Sequence, residues 1–540
     1  MGKYALPVIA IALFVAFLKL GSFTLFDVDE AVFAQASKEM VTSGNWITPT
    51  YDGQDRFDKP ILIYWLMAGS YEAFGVNALA ARVPSAAAAF LLALSVFFFM
   101  GAAAGERELW GRFASREKKA FYAASCLVLS VFFLVYSHAA VTDMTLTLFI
   151  TLSLFSFYLA AAKGRRGFIY GFYFFSALAF LTKGLIGVVF PFGIALLYRV
   201  LAHGRAKERQ RGQGKIWSAP GVLLFLVAGL PWYVAEYMAT GDAFIRNFFI
   251  KHHLMRYMHV ISGHTGPVYY YLPVLALGLF PWIAYLPQGV ADAFREKDSP
   301  GLFALIWLSF VLVFFSFAKT KLPDYILPAV PAAAVLIGSG MGRACDVRSA
   351  GKVVMSRTGR MSNAVIALMA LLAGAAFYLS KGYLLRAGIR ADWPYWLSGI
   401  MLLIALFSLY AAFRGKSRNL ALGFFMLCFL SVAIFKAVPA ASQYLQGELY
   451  EYSIYAGKNL RPGGALIAYK INNPSVVFYS GRHVDAVDDE KGLLAALGGR
   501  GQAMIITKKA DAKEVEAAAG PSLKLKLLEP GGNYSLFEKE

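Results

Sequence analysis

Apolar residues in this chain come in blocks of about 20, each long enough to carry a helix across roughly 30 Å of hydrocarbon. With no water inside a bilayer, a spanning segment must satisfy its own backbone, which a helix does. Candidate spans fall at residues 5–25, 79–101, 120–137, 143–162, 168–183, 185–201, 219–239, 268–288, 301–318, 322–341, 363–380, 394–413 and 418–437. Of the 540 residues, 58% are hydrophobic and 16% charged, whereas a soluble domain carries about a quarter charged residues. Soluble globular folds are excluded. The expected class is a polytopic α-helical membrane protein of about thirteen spans.

The formal net charge of +19 raises nucleic acid as a partner, since basic chains attract phosphate polymers. Its distribution argues against that. The basic clusters are short loops between apolar blocks, at 107–119, 163–166, 199–215, 343–360 and 414–418. That is how cytoplasmic loops look under the positive-inside rule, and it places the N-terminus inside and the tail outside. The expected location is a bacterial inner membrane. Lys3 and the apolar run behind it lack a small-residue cleavage site and read as an uncleaved first span. Cys126, Cys345 and Cys428 fall in spans or in an inner loop, so no disulfide framework is expected.

Two outer loops are too long to be plain connectors. The first, 26–78, contains amphipathic stretches at 31–40 and 61–74, expected to lie along the membrane surface. The second, 240–266, is rich in His, Arg and aromatic residues. Residues 1–437 are thus read as a membrane body carrying both loops. Beyond 438 the hydropathy drops, and 465–471, 476–479, 503–507 and 523–528 read as strands, with helices at 490–497 and 512–519. Residues 438–540 are expected to form a small α/β domain outside the cell.

Ionisable groups beside apolar spans are expensive and usually have a purpose or a partner. Asp29 and Glu30 stand directly after the first span, in Phe26-Asp27-Val28-Asp29-Glu30, and Asp143 ends the turn Ser137-His138-Ala139-Ala140-Val141-Thr142-Asp143. As single residues, Asp29 and Asp143 could equally be helix caps. Lys59, in Arg56-Phe57-Asp58-Lys59-Pro60, suits a lipid phosphate, or a lysine snorkelling at the interface. His252, His253 and Arg256 can share one helical face and offer donors to an anion. The histidines with Asp58 form a weak alternative as a metal site, without tight ligand spacing. Lys319, Lys321 and Tyr325 complete the outward set in Ala318-Lys319-Thr320-Lys321-Leu322-Pro323-Asp324-Tyr325.

The first-loop pattern runs Asp29-Glu30, Glu39-Met40, Ser43-Gly44-Asn45-Trp46, Phe57-Asp58-Lys59-Pro60, Tyr64-Trp65-Leu66, Phe74-Gly75 and Ala81-Arg82-Val83-Pro84-Ser85. With Thr142-Asp143, His253-Leu254-Met255-Arg256-Tyr257, residues 316–328, Tyr469-Lys470 and Phe478-Tyr479, it resembles the bacterial aminoarabinose lipid A transferase (ArnT-like) family. That family is related to the protein O-mannosyltransferases and shares their GT-C fold. The resemblance implies a thirteen-span body, a periplasmic C-terminal domain and a site for an undecaprenyl-phosphate sugar. It implies Asp29 and Asp143 as catalytic-site acids, and Lys59, Arg256 and Tyr325 at the donor phosphate. Glu30, Asp58, His253, Lys319 and Lys321 would line the cavity. Val32, Gln35 and Asp58 depart from the arginine, acid and glutamate usual in the aminoarabinose enzymes, which leaves the sugar and the acceptor open.

The expected activity is therefore transfer of a sugar from a polyprenyl phosphate to a cell-envelope acceptor, lipid A or a related lipopolysaccharide component. Polyprenyl phosphate is a good leaving group, so catalysis needs charge neutralisation at the phosphate, from Lys59 and Arg256. It also needs an acceptor aimed at the opposite face of the sugar, with inversion, and Asp29 as base if the acceptor is a hydroxyl. Membrane lipids and a lipid or glycan acceptor are the expected partners. No cofactor is required, and no Walker-type or strand–Gly-rich-loop–helix unit points to a nucleotide. The alternatives are a transferase acting on protein Ser/Thr or on another envelope glycan, a lipid-linked sugar transporter, and a scaffold.

Overall fold

The computed structural model describes residues 2–103, 116–203, 217–255, 263–295, 300–345, 347–349, 352–386, 388–415, 419–498, 501–520 and 525–539. Apolar helices fall on every expected block. Among the described residues, eight of them can cross a bilayer by length and composition, or ten if each of two bent pairs counts as one span. Three more, Gly2–Phe17, Phe168–Lys183 and Ile186–Leu201, are apolar but shorter.

The two bends have identifiable causes. Arg116–Val128 and Val131–Ser137 meet at 58°, where Ser130 breaks the ladder and its hydroxyl accepts the Phe133 N–H at 3.2 Å. The expected straight span 268–288 is instead Val268–Gly278 and Trp282–Arg295, set at 107° around Pro281, which has no N–H to continue the helix. The Trp282 indole N–H donates to the Leu129 carbonyl at 2.8 Å, so one break satisfies a group released by the other. Small residues let neighbouring helices close up. A Cβ on Gly187 would sit 2.2 Å from the Ala179 carbonyl carbon, so the helix starting at Ile186 packs directly on the backbone of Phe168–Lys183.

The chain forms two compact units. One comprises Met1–Leu18, Phe57–Ile63 and Pro84–Phe435; the other comprises Lys19–Arg56, Tyr64–Val83 and Lys436–Glu540. The sequence division kept the first loop with the membrane body. Most of that loop instead packs with the C-terminal residues, because its polar groups are bound there. Helicity also runs on past the expected boundary at 437, through Asn419–Val432 and a π-helical turn into Val438–Asn459.

In the second unit, strands β1 (Thr50–Tyr51) and β2 (Gln54–Asp55) form a small hairpin. In the body, β3 (Val347–Ser349) and β4 (Lys352–Val354) form another. The C-terminal strands are β5 (Ala465–Tyr469), β6 (Val484–Val487), β7 (Ala503–Lys508), β8 (Leu525–Pro530) and β9 (Tyr534–Lys539), in the order β6-β5-β7-β9-β8. β5 is parallel to β6 and β7, whereas β9 is antiparallel to β7 and β8. Alternate residues of β5 face opposite cores. Leu466 and Ala468 pack with Leu449, Tyr452 and Val477, and Ile467 and Tyr469 with Leu493, Leu497 and Val515.

Residues 476–479, expected as a strand, lie in the helix Pro474–Ser480. Pro474 at its first turn is preset for helix, and Gly481 ends it at φ 63°. The expected helices at 490–497 and 512–519 form as Glu490–Gly498 and Ala512–Ala519. In the first loop, 31–40 and 61–74 become the helices Asp29–Ser43 and Leu62–Phe74.

A buried ion pair holds this first-loop segment. Arg82 is fully buried, and its Nε and Nη2 donate to the two Glu30 oxygens at 2.9 and 2.8 Å. Its remaining N–H groups reach the carbonyls of Leu20 and Phe23 at 3.0 Å and of Thr24 at 2.8 Å. Glu30 in turn accepts the Phe26 N–H at 2.8 Å. Breaking such a pair from one side leaves an uncompensated buried charge, costing about 3–5 kcal/mol. Arg82→Ala should therefore lower the thermal-unfolding midpoint and the yield of folded protein strongly. Arg82→Lys, which lacks the forked geometry, should recover only part of either.

Candidate active site

Three helix ends in the membrane body bring together Asp143, Lys183 and Asp324. Asp143 is the first residue of Asp143–Ala161, where the helix dipole favours an anion. Lys183 is the last residue of Phe168–Lys183, where the dipole favours a cation, and Gly184 at φ 70° turns the chain away. Asp324 stands in the first turn of the 3-10 helix Pro323–Ala329. The Lys183 ammonium lies 2.5 Å from Asp143 Oδ1 and 3.5 Å from Asp324 Oδ2. Its three donors suit two carboxylates, and the side chains are mostly but not fully buried, at 14%, 9% and 22% exposed. Tyr325 adds an aromatic face, its ring centre 5.4 Å from the Lys183 ammonium and 5.0 Å from the Phe315 ring.

Of the residues singled out in the sequence, Asp143 and Tyr325 belong to this cluster. Lys59 sits with Asp58 in the same unit; its ammonium donates to the Asp58 carbonyl at 3.2 Å and lies 4.0 Å from the Asp58 carboxylate. Neighbouring Phe57 packs against Phe244, the start of an aromatic group with Phe248 and Phe249 that leads into the π-helix Ile245–Met255. Arg256 lies outside the described residues, and of His252 and His253 only the backbone, in that π-helix, is described. Lys319 is exposed.

Lys321, expected to line the cavity, has a capping role. Its ammonium donates to the carbonyls of Phe315, Ser316 and Ala318 at 3.1, 2.8 and 3.0 Å, closing the end of Pro300–Phe317. His138, in the turn before Asp143, likewise contacts the carbonyls of Leu134 and Leu18 at 3.0 Å.

The remaining acids lie in the second unit. Asp29 is exposed at the first residue of Asp29–Ser43, while Glu30 is the buried partner of Arg82. Asp27, which the sequence did not single out, is a closely bound acid there. It accepts from Gln446 Nε2 at 2.8 Å, Asn473 Nδ2 at 2.9 Å, Ser475 N at 2.8 Å and Ser475 Oγ at 2.5 Å. Burial pushes its carboxyl above the usual carboxylate range, and those donors oppose the shift. Glu39 similarly ties the β1–β2 hairpin down, accepting from Thr50 Oγ1 at 2.7 Å and the Asp52 N–H at 2.7 Å.

The sequence also missed Lys183, although a signal for it was present. It is a lone lysine between two apolar blocks on the side otherwise poor in basic residues, where a partner acid is expected.

Comparison with known proteins places this geometry. The family model described as dolichyl-phosphate-mannose-protein mannosyltransferase matches residues 58–234. The undecaprenyl phosphate-alpha-4-amino-4-deoxy-L-arabinose arabinosyl transferase of Aeromonas hydrophila is 33% identical over 389 residues, 71% of this chain and 67% of the relative. A Pseudomonas fluorescens transferase of the same name is 30% identical over 501 residues, 88% of this chain and 85% of the relative. This chain belongs to that arabinosyl transferase family. It is a glycosyltransferase. The crystal structure of ArnT from Cupriavidus metallidurans bound to undecaprenyl phosphate superposes with a TM-score of 0.78 at 21% identity, covering 99% of this chain and 98% of that one. The likeness shows the polytopic GT-C membrane fold.

Removing Lys183 leaves two acids facing each other. Lys183→Met should cost about 2–3 kcal/mol, less than a fully buried pair because the cluster is partly open. Adding Asp324→Asn should recover a good part of that loss, read as the midpoint of thermal unfolding in a double-mutant cycle.

Proposed function

We propose that this glycosyltransferase takes a sugar from an undecaprenyl-phosphate donor and attaches it to a cell-envelope acceptor, lipid A or a related lipopolysaccharide component. The observation that carries the reading is the Asp143–Lys183–Asp324 cluster with Tyr325, a charged site at helix ends in the membrane body of an arabinosyl transferase family member. A donor of this class is named for the relatives, and undecaprenyl phosphate is bound in the ArnT structure. We place the protein in the inner membrane with thirteen spans and a cytoplasmic N-terminus. The first loop and the C-terminal α/β domain, 438–540, then face the periplasm, a placement that the basic loops on the other side support.

Lys59 is assigned to the donor phosphate with Arg256 and Tyr325, and Lys183 adds a cation held in place by its acids. As the glycosidic bond breaks, negative charge builds on the phosphate, and fixed cations in a partly dry site stabilise that state more than the ground state. Asp143 and Asp29 are the proposed acids. For a hydroxyl acceptor, Asp29 is the base; for a phosphate acceptor, the nucleophile is already ionised and Asp29 orients it. Attack opposite the leaving phosphate inverts the anomeric carbon. No metal or other cofactor enters these steps.

A second reading, transfer to protein Ser/Thr, draws on the mannosyltransferase description of the family model over 58–234. Both are tested by expressing the chain and its Asp29→Asn variant in a bacterial host with suitable donors. Envelope lipids, glycans and proteins are then compared by mass spectrometry. An acceptor gaining one sugar mass with wild type, and donor accumulating in the variant, supports transfer and names the acceptor class. No product with either protein would contradict it. Lys59→Ala should lower turnover by about 10²–10³, as loss of a single transition-state charge contact does, with the fold retained.

A further inference from the structure

The second unit holds a polar cavity of about 610 Å³ in which the proposed reaction leaves no role. That volume lies within the range of small-molecule sites, roughly 300–1,000 Å³. It runs the length of the edge strand β6, from His483 at its amino end to Val487, and takes in the loop at the carboxyl end of β5. On its other side stands the turn of the β1–β2 hairpin. Asp52, Gln54, Asn472, His483 and Asp485 contribute polar groups and Tyr51 an aromatic ring, while Ala486, Ala495 and Ala496 keep part of the lining small.

The polar groups are arranged. His483 Nδ1 lies 2.9 Å from Asp52 Oδ1, and its Nε2 lies 3.5 Å from Asp485 Oδ1. Asp52 Oδ2 also accepts the Val484 N–H at 3.3 Å, so the hairpin caps the open edge of β6. Tyr51 packs against the core beneath the sheet, which fixes its ring. Gln54 and Asn472 are exposed, each with an amide that can donate and accept at once.

Paired donor–acceptor amides, carboxylates and one aromatic ring match a ligand whose every carbon carries a hydroxyl over an apolar ring face. They do not match phosphate, because the lining has two carboxylates and no lysine or arginine. We infer that this cavity binds a phosphate-free saccharide, and, resting on the transferase reading above, that it holds the glycan portion of the acceptor. The site adds affinity for acceptor without touching the reacting atoms, so it acts on acceptor KM and not on kcat.

The test uses the full chain in lipid nanodiscs and a Gln54→Ala/Asp485→Ala variant, two changes outside the buried core. Saturation-transfer NMR with N-acetylglucosamine and glucosamine as probes should show transfer to wild type, reduced at least fivefold in the variant and unaffected by excess inorganic phosphate. No transfer to wild type, equal transfer to both proteins, or displacement by phosphate overturns the inference. In a turnover assay with an undecaprenyl-phosphate sugar, the variant should raise acceptor KM at least fivefold at unchanged kcat and donor KM. Wild-type transfer with an unchanged variant KM refutes the acceptor role alone. Absence of wild-type transfer refutes the transferase reading, and the NMR result then decides the saccharide site by itself.

Discussion

A single lysine at the end of an apolar helix lets two carboxylates share the membrane body. Without Lys183, Asp143 and Asp324 would be like charges at the ends of neighbouring helices, disfavoured at the edge of a low-dielectric region. With it, each charge is met by an opposite one and each sits where its helix dipole helps. The result is a fixed, partly open set of charges. Such a set needs little reorganisation when charge moves nearby, the property on which the proposed role in transfer from a phosphate rests.

The second unit solves a parallel problem differently. There the acids of the first loop are spent on attachment: Glu30 on Arg82, Asp27 on Gln446, Asn473 and Ser475, Glu39 and Asp52 on the β1–β2 hairpin and His483. A polar loop rich in carboxylates is therefore also the element that packs with the C-terminal sheet. Asp29 is exposed beside these committed acids.

Long apolar periodicity made the membrane architecture legible, since blocks of about 20 residues admit few other readings. Asp143 and Tyr325 were legible for a similar reason, because charges and polar rings beside spans stand out. Short segments were harder. Residues 476–479 are apolar, with two consecutive valines, and read as a strand, yet Pro474, Gly481 and burial of Val476 and Val477 make a helix. Lys321 read as a cavity cation because sequence shows charge but not direction; its ammonium turns back onto three carbonyls. The strand β6 was missed because it is a half-exposed edge without a clean alternation, and β9 was missed although it is the hairpin partner of β8. The Lys183 pairing needed three separate helix ends to meet, which no local pattern encodes.

Family membership and the body cluster converge on one chemical step, displacement of a lipid phosphate from a sugar. The most direct measurement is single-turnover transfer by the Asp143→Asn protein in nanodiscs, with donor binding measured on the same sample. Donor affinity within about threefold of wild type, with transfer slowed about 100-fold, is the expected result for an acid that acts in the transition state. Transfer at the wild-type rate would contradict it and remove Asp143 from the reaction.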